Sequence, residues 1–191
     1  MIRKTNDELK HHGVKGQKWG VRRYQNYDGT RIKTGTTSRK VRVVKGSVKD
    51  SNAIYDTLSK EEKNLVMGEN TYGTPPEKFI TSKQEAKFLV DQVLVKYGDV
   101  PVAAFDMWNQ GNGEVSVSIM TNKNYRKQGF ADTAVKEGVK AFENNKDLNL
   151  MTWGVWAQNT GSRHLANSNG FKYSTWHDPG GEKYLVYKKH K

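Results

Sequence analysis

A glycine stands at the predicted start of a helix in the stretch Arg126-Lys127-Gln128-Gly129-Phe130-Ala131. Because glycine has no side chain, the backbone at this point can come close to a ligand. The unpaired N–H groups of a first helical turn, together with the helix dipole, attract phosphate. Arg126 and Lys127 add positive charge beside them. The stretch therefore predicts a phosphate-binding loop, although an ordinary turn between a strand and a helix would show the same pattern.

Hydrophobic periodicity defines the elements on either side of this loop. Residues 115–120 alternate apolar and polar side chains, which predicts a strand. After the loop, apolar residues recur at helical intervals as far as Phe142, which predicts an amphipathic helix. A strand over 100–108 and tight turns before and after it precede the loop. The segment 88–95 also has the composition of a buried strand, while Ser82 could cap a helix, and periodicity alone leaves both open.

The other segments complete a domain of alternating strands and helices. Ser59 and Glu62 form a capping box that opens a short helix. The remaining predicted elements are a strand over 41–48, a strand over 150–157, a helix over 162–168 ending at Gly170, and a terminal hairpin of 171–176 and 183–187. Trp153 and Trp156 have opposite parity on one strand, so we expect one in the core and the other in a cleft or solvent. This order predicts an α/β (α+β) domain.

Charge divides the chain of 191 residues into two parts. The first 50 residues hold 14 Lys or Arg and 4 Asp or Glu, whereas residues 51–191 hold 18 and 16. The boundary is expected near residue 40, with a flexible basic arm over 1–40 and a folded domain over 41–191. Such an arm is either simply solvated or docks on nucleic acid, an acidic protein or a membrane surface. Trp19 among its basic residues would suit stacking on a single-stranded base.

Several function classes are excluded by what the sequence lacks. There is no cysteine, so no disulfide scaffold, Cys-ligated zinc or Cys nucleophile is expected. The histidines show no metal-ligand spacing, and no metal site is expected. No apolar run is long enough to span a bilayer, and the first ten residues carry no secretory signal.

The strand over 115–120 and the loop after it resemble the (Gln/Arg)-x-x-Gly-x-(Gly/Ala) signature of the GNAT acyltransferase superfamily. Asn159-Thr160-Gly161-Ser162, followed by Leu165 and Gly170-Phe171, is similar to the second signature of that family. The resemblance covers roughly 110 to 150 residues. It implies a GNAT-like central sheet, mixed but mostly antiparallel, flanked by helices. It also implies acetyl-CoA (coenzyme A) as co-substrate and no metal.

The resemblance implies a set of coenzyme-binding residues. The amides of the glycine loop would hold the pyrophosphate, and the strand before the loop would splay away from the strand over 150–157 to admit the pantetheine arm. Asn159 would bond to the pantetheine, although it could equally be a helix N-cap, and Ser162 would contact the coenzyme or remain solvated. The implied cofactor-binding residues are Ile119, Met120, Thr121, Arg126, Lys127, Gln128, Gly129, Phe130, Ala131, Asn159 and Ser162.

The catalytic groups are the least determined part of the resemblance. Acyl transfer to an amine uses a base for the ammonium proton and an acid for the leaving thiolate. The family often has a tyrosine as acid four residues after the position of Ser162, and this sequence has Ala166 there. We predict Tyr173 as the acid and Glu114 as the base. Other candidates are Tyr125, Ser168 and His164, with Asp106 as a second possible base.

The stretch from His11 to Asn26 resembles a leader found on head-module and other structural proteins of phages and prophages of Gram-positive bacteria. Asp7-Glu8-Leu9 and Asp28-Gly29-Thr30 match its two ends. This resemblance implies a phage context, in the host cytoplasm or the virion, and a capsid or nucleic acid contact through residues 1–40.

Three functions are compatible with these patterns. The first is an N-acyltransferase that moves an acetyl group from acetyl-CoA to a primary amine on a protein or a small molecule. The alternative is a virion-associated accessory protein with a non-catalytic GNAT fold that docks through its basic arm, and a purely nucleic-acid-binding module is a third reading.

Overall fold

The computed structural model describes residues 40–67, 75–178 and 181–191. The predicted basic arm therefore lies outside the described residues, apart from Lys40. The elements are, in chain order, β1 (Val41–Lys45), α1 (Val48–Tyr55), α2 (Lys60–Met67), α3 (Lys83–Ala86), β2 (Leu89–Tyr97), β3 (Val100–Gly111), β4 (Glu114–Thr121), a 3-10 turn (Lys123–Tyr125), α4 (Phe130–Asn144), β5 (Leu150–Trp156), α5 (Thr160–Ser168), β6 (Lys172–His177) and β7 (Tyr184–His190).

Within the described residues, seven strands form one sheet in the order β1-β2-β3-β4-β5-β7-β6. All neighbouring pairs are antiparallel except β4 and β5, which run parallel. The parallel pair follows from the connection, since α4 crosses over between the two strands. The prediction of a mixed, mostly antiparallel sheet flanked by helices is confirmed.

The two faces of the sheet are covered by different helices. On one face α4 packs against a core that includes Phe105, Val135 and Trp153. On the other face α1 packs Ile54 and Tyr55 over a smaller cluster. Because side chains alternate along a strand, odd-numbered residues of β4, and of β3 from Ala103 onwards, face α4 and even-numbered ones face α1. This division decides which residues of β4 can meet a ligand on the α1 side.

Local signals explain where the helices begin. Ser59 and Glu62 form the predicted capping box, in which the Ser59 amide donates to Glu62 Oε2 at 2.8 Å. Ser82 also caps a helix, the short α3, and β2 begins only three residues after it ends. Both interpretations of that region are therefore correct. Val48 was expected in the first strand, but the Ser47 side chain accepts from the Asp50 amide and starts α1 there instead.

The expectation for the two tryptophans is wrong in one respect. Trp153 lies in the core as expected, but Trp156 is also buried, at 7% exposure. Its ring meets the ring of Tyr184 on β7 at a centroid distance of 4.9 Å. Gly154 makes this possible, because a side chain there would overlap the Tyr184 ring. Cover from the terminal hairpin therefore removes Trp156 from solvent.

Candidate active site

A cleft opens between β4 and β5 because the two strands pair only at their beginnings. The pairs are Glu114 with Leu150, Val115 with Met151 and Ser116 with Thr152, and none follows. Beyond Ser116 the strands diverge around a cavity of about 680 Å³. The other edge of β4 stays paired with β3 as far as Thr121. The β5-facing backbone of the second half of β4 therefore borders the cleft, as the family resemblance implies.

The predicted phosphate loop forms the N-terminus of α4. Gly129 is the N-cap residue with φ +82°, and it has no side chain with which to cap the helix. The first intrahelical bond runs from the Thr133 amide to the Gly129 carbonyl at 3.0 Å. A Cβ at Gly129 would meet nothing within 4 Å, so the space over this helix end is open. The turn thus presents the amides of Phe130 and Ala131 to that space.

Arg126 is held by a residue that the sequence interpretation did not include. Its guanidinium donates to Glu62 Oε1 on α2, and this hydrogen bond is the main reason why the pKa of Glu62 is lowered. Lys127 also adopts a left-handed backbone, with φ +59°. Two left-handed residues around Gln128 shape the tight entry into α4.

Asn159 and Ser162 both border the cleft, next to the end of β5. The Asn159 Oδ1 accepts from the Ser162 amide at 3.1 Å, so Asn159 is the N-cap of α5. Capping fixes the orientation of this side chain, and its contact with the pantetheine stays a prediction. Among the three β4 residues predicted to bind coenzyme A, Ile119 lines the cleft, while the Met120 side chain is buried beneath α1. Their predicted contacts are through the backbone, which this burial leaves unaffected.

The two predicted catalytic residues lie away from the cleft. Glu114 begins β4 at the closed end, opposite Leu150. Tyr173 lies on β6 with 52% of its surface exposed and borders a separate groove with Lys172 and Lys188. Ala166, at the position of the usual tyrosine, is fully buried. The catalytic roles of Glu114 and Tyr173 stay predictions, and the cleft brings neither of them to its walls.

The other candidate residues, Tyr125, Ser168 and His164, are not among those that line the cleft. The ring of Tyr125 packs near the ring of Tyr97, with centroids 6.1 Å apart. Ser168 Oγ donates to the Leu165 carbonyl at 3.2 Å, inside α5. His164 also belongs to α5 and is not among the residues that line the cleft.

One wall of the cleft was not recognised from the sequence. It is built from the last turn of α2, the segments before and after α3, and the even-numbered face of β3 and β4. Its apolar side chains are Leu65, Val66, Met67, Phe79, Phe88 and Trp108. The rings of Phe79 and Trp108 meet edge to face, 5.7 Å apart. Ser116 and Ser118 supply hydroxyl groups on the same side.

A buried polar network lies directly behind this wall. Gln92, Asp106 and Ser118 stand opposite one another across β2, β3 and β4. Asp106 accepts from the Gln92 amide group, from Ser51 Oγ of α1 at 3.2 Å and from Ser118 Oγ at 3.5 Å. Trp108 Nε1 donates to Ser118 Oγ at 3.1 Å. The sequence suggested Asp106 only by its position on the strand before β4.

Burial raises the pKa of Asp106 to about 6, and the three hydrogen bonds keep it from rising further. The side chain is completely buried. Among the described residues, no Lys or Arg forms an ion pair with it. When this carboxylate is ionised, it is therefore stabilised by hydrogen bonds from the neutral side chains of Gln92, Ser51 and Ser118.

Two further features bear on the choice of chemistry. Across the described ranges, no group of three or more His, Asp or Glu side chains is arranged to hold a metal ion. Nor does any described helix have the length and apolar composition required to cross a membrane.

A splayed pair of parallel strands that leads to an open helix N-terminus defines a coenzyme A-dependent acyltransferase fold. The acetyltransferase (GNAT) domain family matches residues 74–172. The chain belongs to this family and is an acetyl-CoA-dependent enzyme. A separate match, to a family of unknown function (DUF7211), covers residues 3–26. That second match assigns no role to the leader.

Solved structures show the same fold at low sequence identity. An N-acetyltransferase from Staphylococcus aureus Mu50 is similar with a TM-score of 0.61 and 15% identity, over 79% of this chain and 98% of that one. YncA from Salmonella typhimurium, a putative acetyltransferase solved with its cofactor acetyl-CoA, is similar with a TM-score of 0.61 and 12% identity, over 79% of this chain and 94% of that one. A ribosomal-protein-alanine N-acetyltransferase from Brucella melitensis is similar with a TM-score of 0.59 and 14% identity, over 78% of this chain and 99% of that one. No curated protein sequence matches the chain.

Proposed function

We propose that the protein transfers the acetyl group of acetyl-CoA to a primary amine that carries an apolar group. The observation that carries the proposal is the cleft between β4 and β5, which has an apolar wall and is bordered by the strand that leads into the open N-terminus of α4. A thioester held between these two features would present its carbonyl carbon to an amine on that wall. Proximity of this kind supplies a large part of the rate of acyl transfer.

The residues present fit the coenzyme. The amides of Gly129, Phe130 and Ala131 would bind the pyrophosphate, since they face open space at the positive end of a helix of 15 residues. Arg126, Lys127 and Gln128 would bound the same phosphate site. The backbone edge of Ile119, Met120 and Thr121, which β5 leaves unpaired, would pair with the pantetheine amides, and Asn159 and Ser162 would border it on the α5 side.

The acceptor would enter from the side of α2. Val66, Met67 and Phe79 are half-buried there and pack against the smaller core cluster, so the wall is firm before a ligand arrives. Apolar and aromatic walls with a few hydroxyl groups are typical of sites for small organic ligands. An amine with an aryl or alkyl group, free or at the end of a peptide, would suit this wall.

Calorimetric titration of acetyl-CoA into the full chain, followed by an assay of thiol release with a panel of amines, tests the proposal. We expect saturable binding, and release of free coenzyme A that depends on the amine and is faster for 2-phenylethylamine than for ethanolamine. Absence of binding by the folded protein would refute the coenzyme site. Binding without release from any amine would refute the transfer reaction.

The alternative is a non-catalytic GNAT fold that serves as a virion-associated accessory protein. The observation in its favour is Ala166, which leaves the usual position of the acid without a hydroxyl group. In that function residues 1–40 would dock on a phage capsid or nucleic acid, in the host cytoplasm or the virion, and 41–191 would fold independently. A chain lacking residues 1–40 should then lose a salt-sensitive interaction and keep its melting temperature.

A further inference from the structure

We propose that the acceptor amine binds against Ser118 and that Ser118 passes the proton of the ammonium group to Asp106. This inference rests on the proposed transfer reaction and adds the path by which the nucleophile loses its proton. Ser118 would touch the substrate, and Asp106 would act through it as a positioning residue. Neither residue belongs to the predicted catalytic pair.

Ser118 has the right place for this role. It lies on the part of β4 that has already separated from β5, and its even position turns the side chain towards the α1 side, where the apolar wall stands. It borders the same cavity as Ile119 and Gly154. An amine on this wall and a thioester between the strands would therefore meet near Ser118.

The hydrogen bonds around Ser118 also orient its hydroxyl proton towards Asp106. Trp108 Nε1 can only donate, so its bond to Ser118 Oγ at 3.1 Å occupies one lone pair of the hydroxyl oxygen. The hydroxyl proton is then available to Asp106 Oδ2, 3.5 Å away, and the other lone pair of the oxygen is available to the ammonium group of the acceptor. The distance to Asp106 is long for a resting hydrogen bond, and such bonds often shorten when substrate binds.

The carboxylate is held ready as a proton acceptor. Gln92 and Ser51 donate to Asp106 from the side away from the cleft, and they fix the orientation of the carboxyl group. Glu85, the acidic side chain that lines the cleft itself, already accepts from the Thr81 amide and hydroxyl, both at 2.7 Å. These bonds lower the pKa of Glu85, which makes it a poorer base than Asp106.

The proton balance of the step is complete. The ammonium nitrogen gives one proton to Ser118 Oγ as Ser118 gives its own to Asp106, and the neutral amine then attacks the thioester carbonyl carbon. The C–N bond forms, the C–S bond breaks, and the second nitrogen proton goes to the departing thiolate. Asp106 returns its proton to water when the product leaves.

The pH dependence follows from the groups around Asp106. On the packed elements the titratable side chains are Lys49, Asp50 and Tyr55 of α1, Asp91, Lys96 and Tyr97 of β2, and Glu114 of β4. Asp50 and Lys96 form an ion pair with each other at 3.3 Å, and no charged group contributes to the pKa of Asp106. We expect kcat to fall as the pH drops through about 6, because Asp106 is then protonated and cannot accept.

Three single variants of the full chain and one double variant test the proposal in the thiol-release assay with 2-phenylethylamine. Ser118→Ala and Asp106→Asn should each lower kcat by about 100-fold, and the double variant should lose no more than either alone. The fall in kcat near pH 6 should be absent in Asp106→Asn. Ser51→Ala removes a hydroxyl group that donates to Asp106 and does not line the cleft. This variant should keep most of its rate at alkaline pH, and its kcat should begin to fall at a higher pH than that of the wild type, because Ser51 lowers the pKa of Asp106.

A neutral nucleophile separates proton transfer from a structural effect. Phenylhydrazine is uncharged at neutral pH, so the Ser118→Ala defect should be much smaller with it than with 2-phenylethylamine. An equal loss with both, or full activity in Ser118→Ala, would overturn the proton path while the transfer reaction stands. So would a fall in kcat near pH 6 that is lost in His177→Gln, a change at the histidine that lines the cleft, and kept in Asp106→Asn. If the wild type binds acetyl-CoA but acetylates no amine, the proposed function fails and the path fails with it.

Discussion

Arg126, at the start of the predicted phosphate loop, donates a hydrogen bond to Glu62 on α2. The same carboxyl group accepts from the Ser59 amide through its other oxygen, so one side chain caps α2 and holds Arg126. Because α2 also supplies Leu65, Val66 and Met67 to the apolar wall, this contact connects the predicted phosphate loop with the helix that forms part of the proposed acceptor wall. A phosphate at α4 would compete with Glu62 for the guanidinium.

Replacing Glu62 with Gln should therefore tighten acetyl-CoA binding. Glutamine retains the capping box but carries no charge, so Arg126 becomes available to the phosphates. A partly exposed ion pair contributes 0.2–1 kcal/mol, so the dissociation constant should fall by up to about fivefold in calorimetry. Glu61→Gln is the matched control, because it removes a neighbouring charge that contacts Ser59 and not Arg126. Equal effects of the two variants would show that overall charge, and not this ion pair, sets the affinity.

Gly129→Trp should abolish acetyl-CoA binding without unfolding the protein. The indole would occupy the open space over the start of α4, where the amides are expected to bind phosphate. Gly111→Trp is a close control, since Gly111 also has positive φ, +90°, and open space around its Cβ position, but lies at the end of β3. Both variants should lower the unfolding free energy by about 1–2 kcal/mol, because a side chain disfavours the left-handed backbone at these positions.

Only Gly129→Trp should lose the calorimetric signal of acetyl-CoA. If it bound as tightly as Gly111→Trp, the pyrophosphate would not lie at the N-terminus of α4.

Asp106 should make the protein less stable as the pH rises from about 4 to 6. The ordinary pKa is 3.8 and burial raises it to about 6, so within this window the folded protein holds a proton that the unfolded chain has released. The unfolding free energy then falls with pH, by an amount on the order of 3 kcal/mol. Asp106→Asn removes this titration.

The stability difference between Asp106→Asn and wild type isolates this effect, because the other carboxyl groups titrate in both proteins. It should increase in favour of the variant between pH 4 and 7, as measured by denaturant unfolding. A difference that does not change with pH would mean that Asp106 does not titrate in this range. A buried carboxylate that costs stability is easier to understand where it serves chemistry.

The sequence predicted those parts of the site that depend on local signals. Gly129 lies at the start of a helix because glycine adopts the left-handed backbone there without steric cost, and Asn159 caps α5 within three residues of its own position. The strands could be predicted from alternation of side chains. The opening between β4 and β5 followed from the family resemblance and not from periodicity.

The acceptor wall could not be predicted because its parts are distant in the chain. Val66, Phe79 and Trp108 meet only through packing of α2 and the segment before α3 on the sheet. Asp106 shows the same difficulty, since its burial depends on α1, which crosses over it 55 positions earlier. Parity could place Trp156 on a face, but it could not show that Tyr184 covers that face.

Gly138 should be required for the packing of α4 on the sheet. A side chain there would overlap the ring of Phe105 on β3, which is fully buried and also meets the Trp153 ring edge to face at 6.3 Å. Gly138→Ala should lower the unfolding free energy by about 1–3 kcal/mol, because the ring has no free space into which to move. Denaturant unfolding measures this directly.

Gly161→Ala provides the opposite case on another helix. It lies in the first turn of α5, where the nearest contact of a new Cβ would be Asn159 Oδ1 at an ordinary 3.8 Å. Alanine is a better helix residue than glycine, so this variant should gain about 0.5–1 kcal/mol. Since helix propensity favours alanine at both positions, opposite signs would show that Phe105 decides the outcome at Gly138. If Gly138→Ala were also stabilising, α4 would lie further from the sheet than the structure places it, and the depth of the cleft beside it would have to be reconsidered.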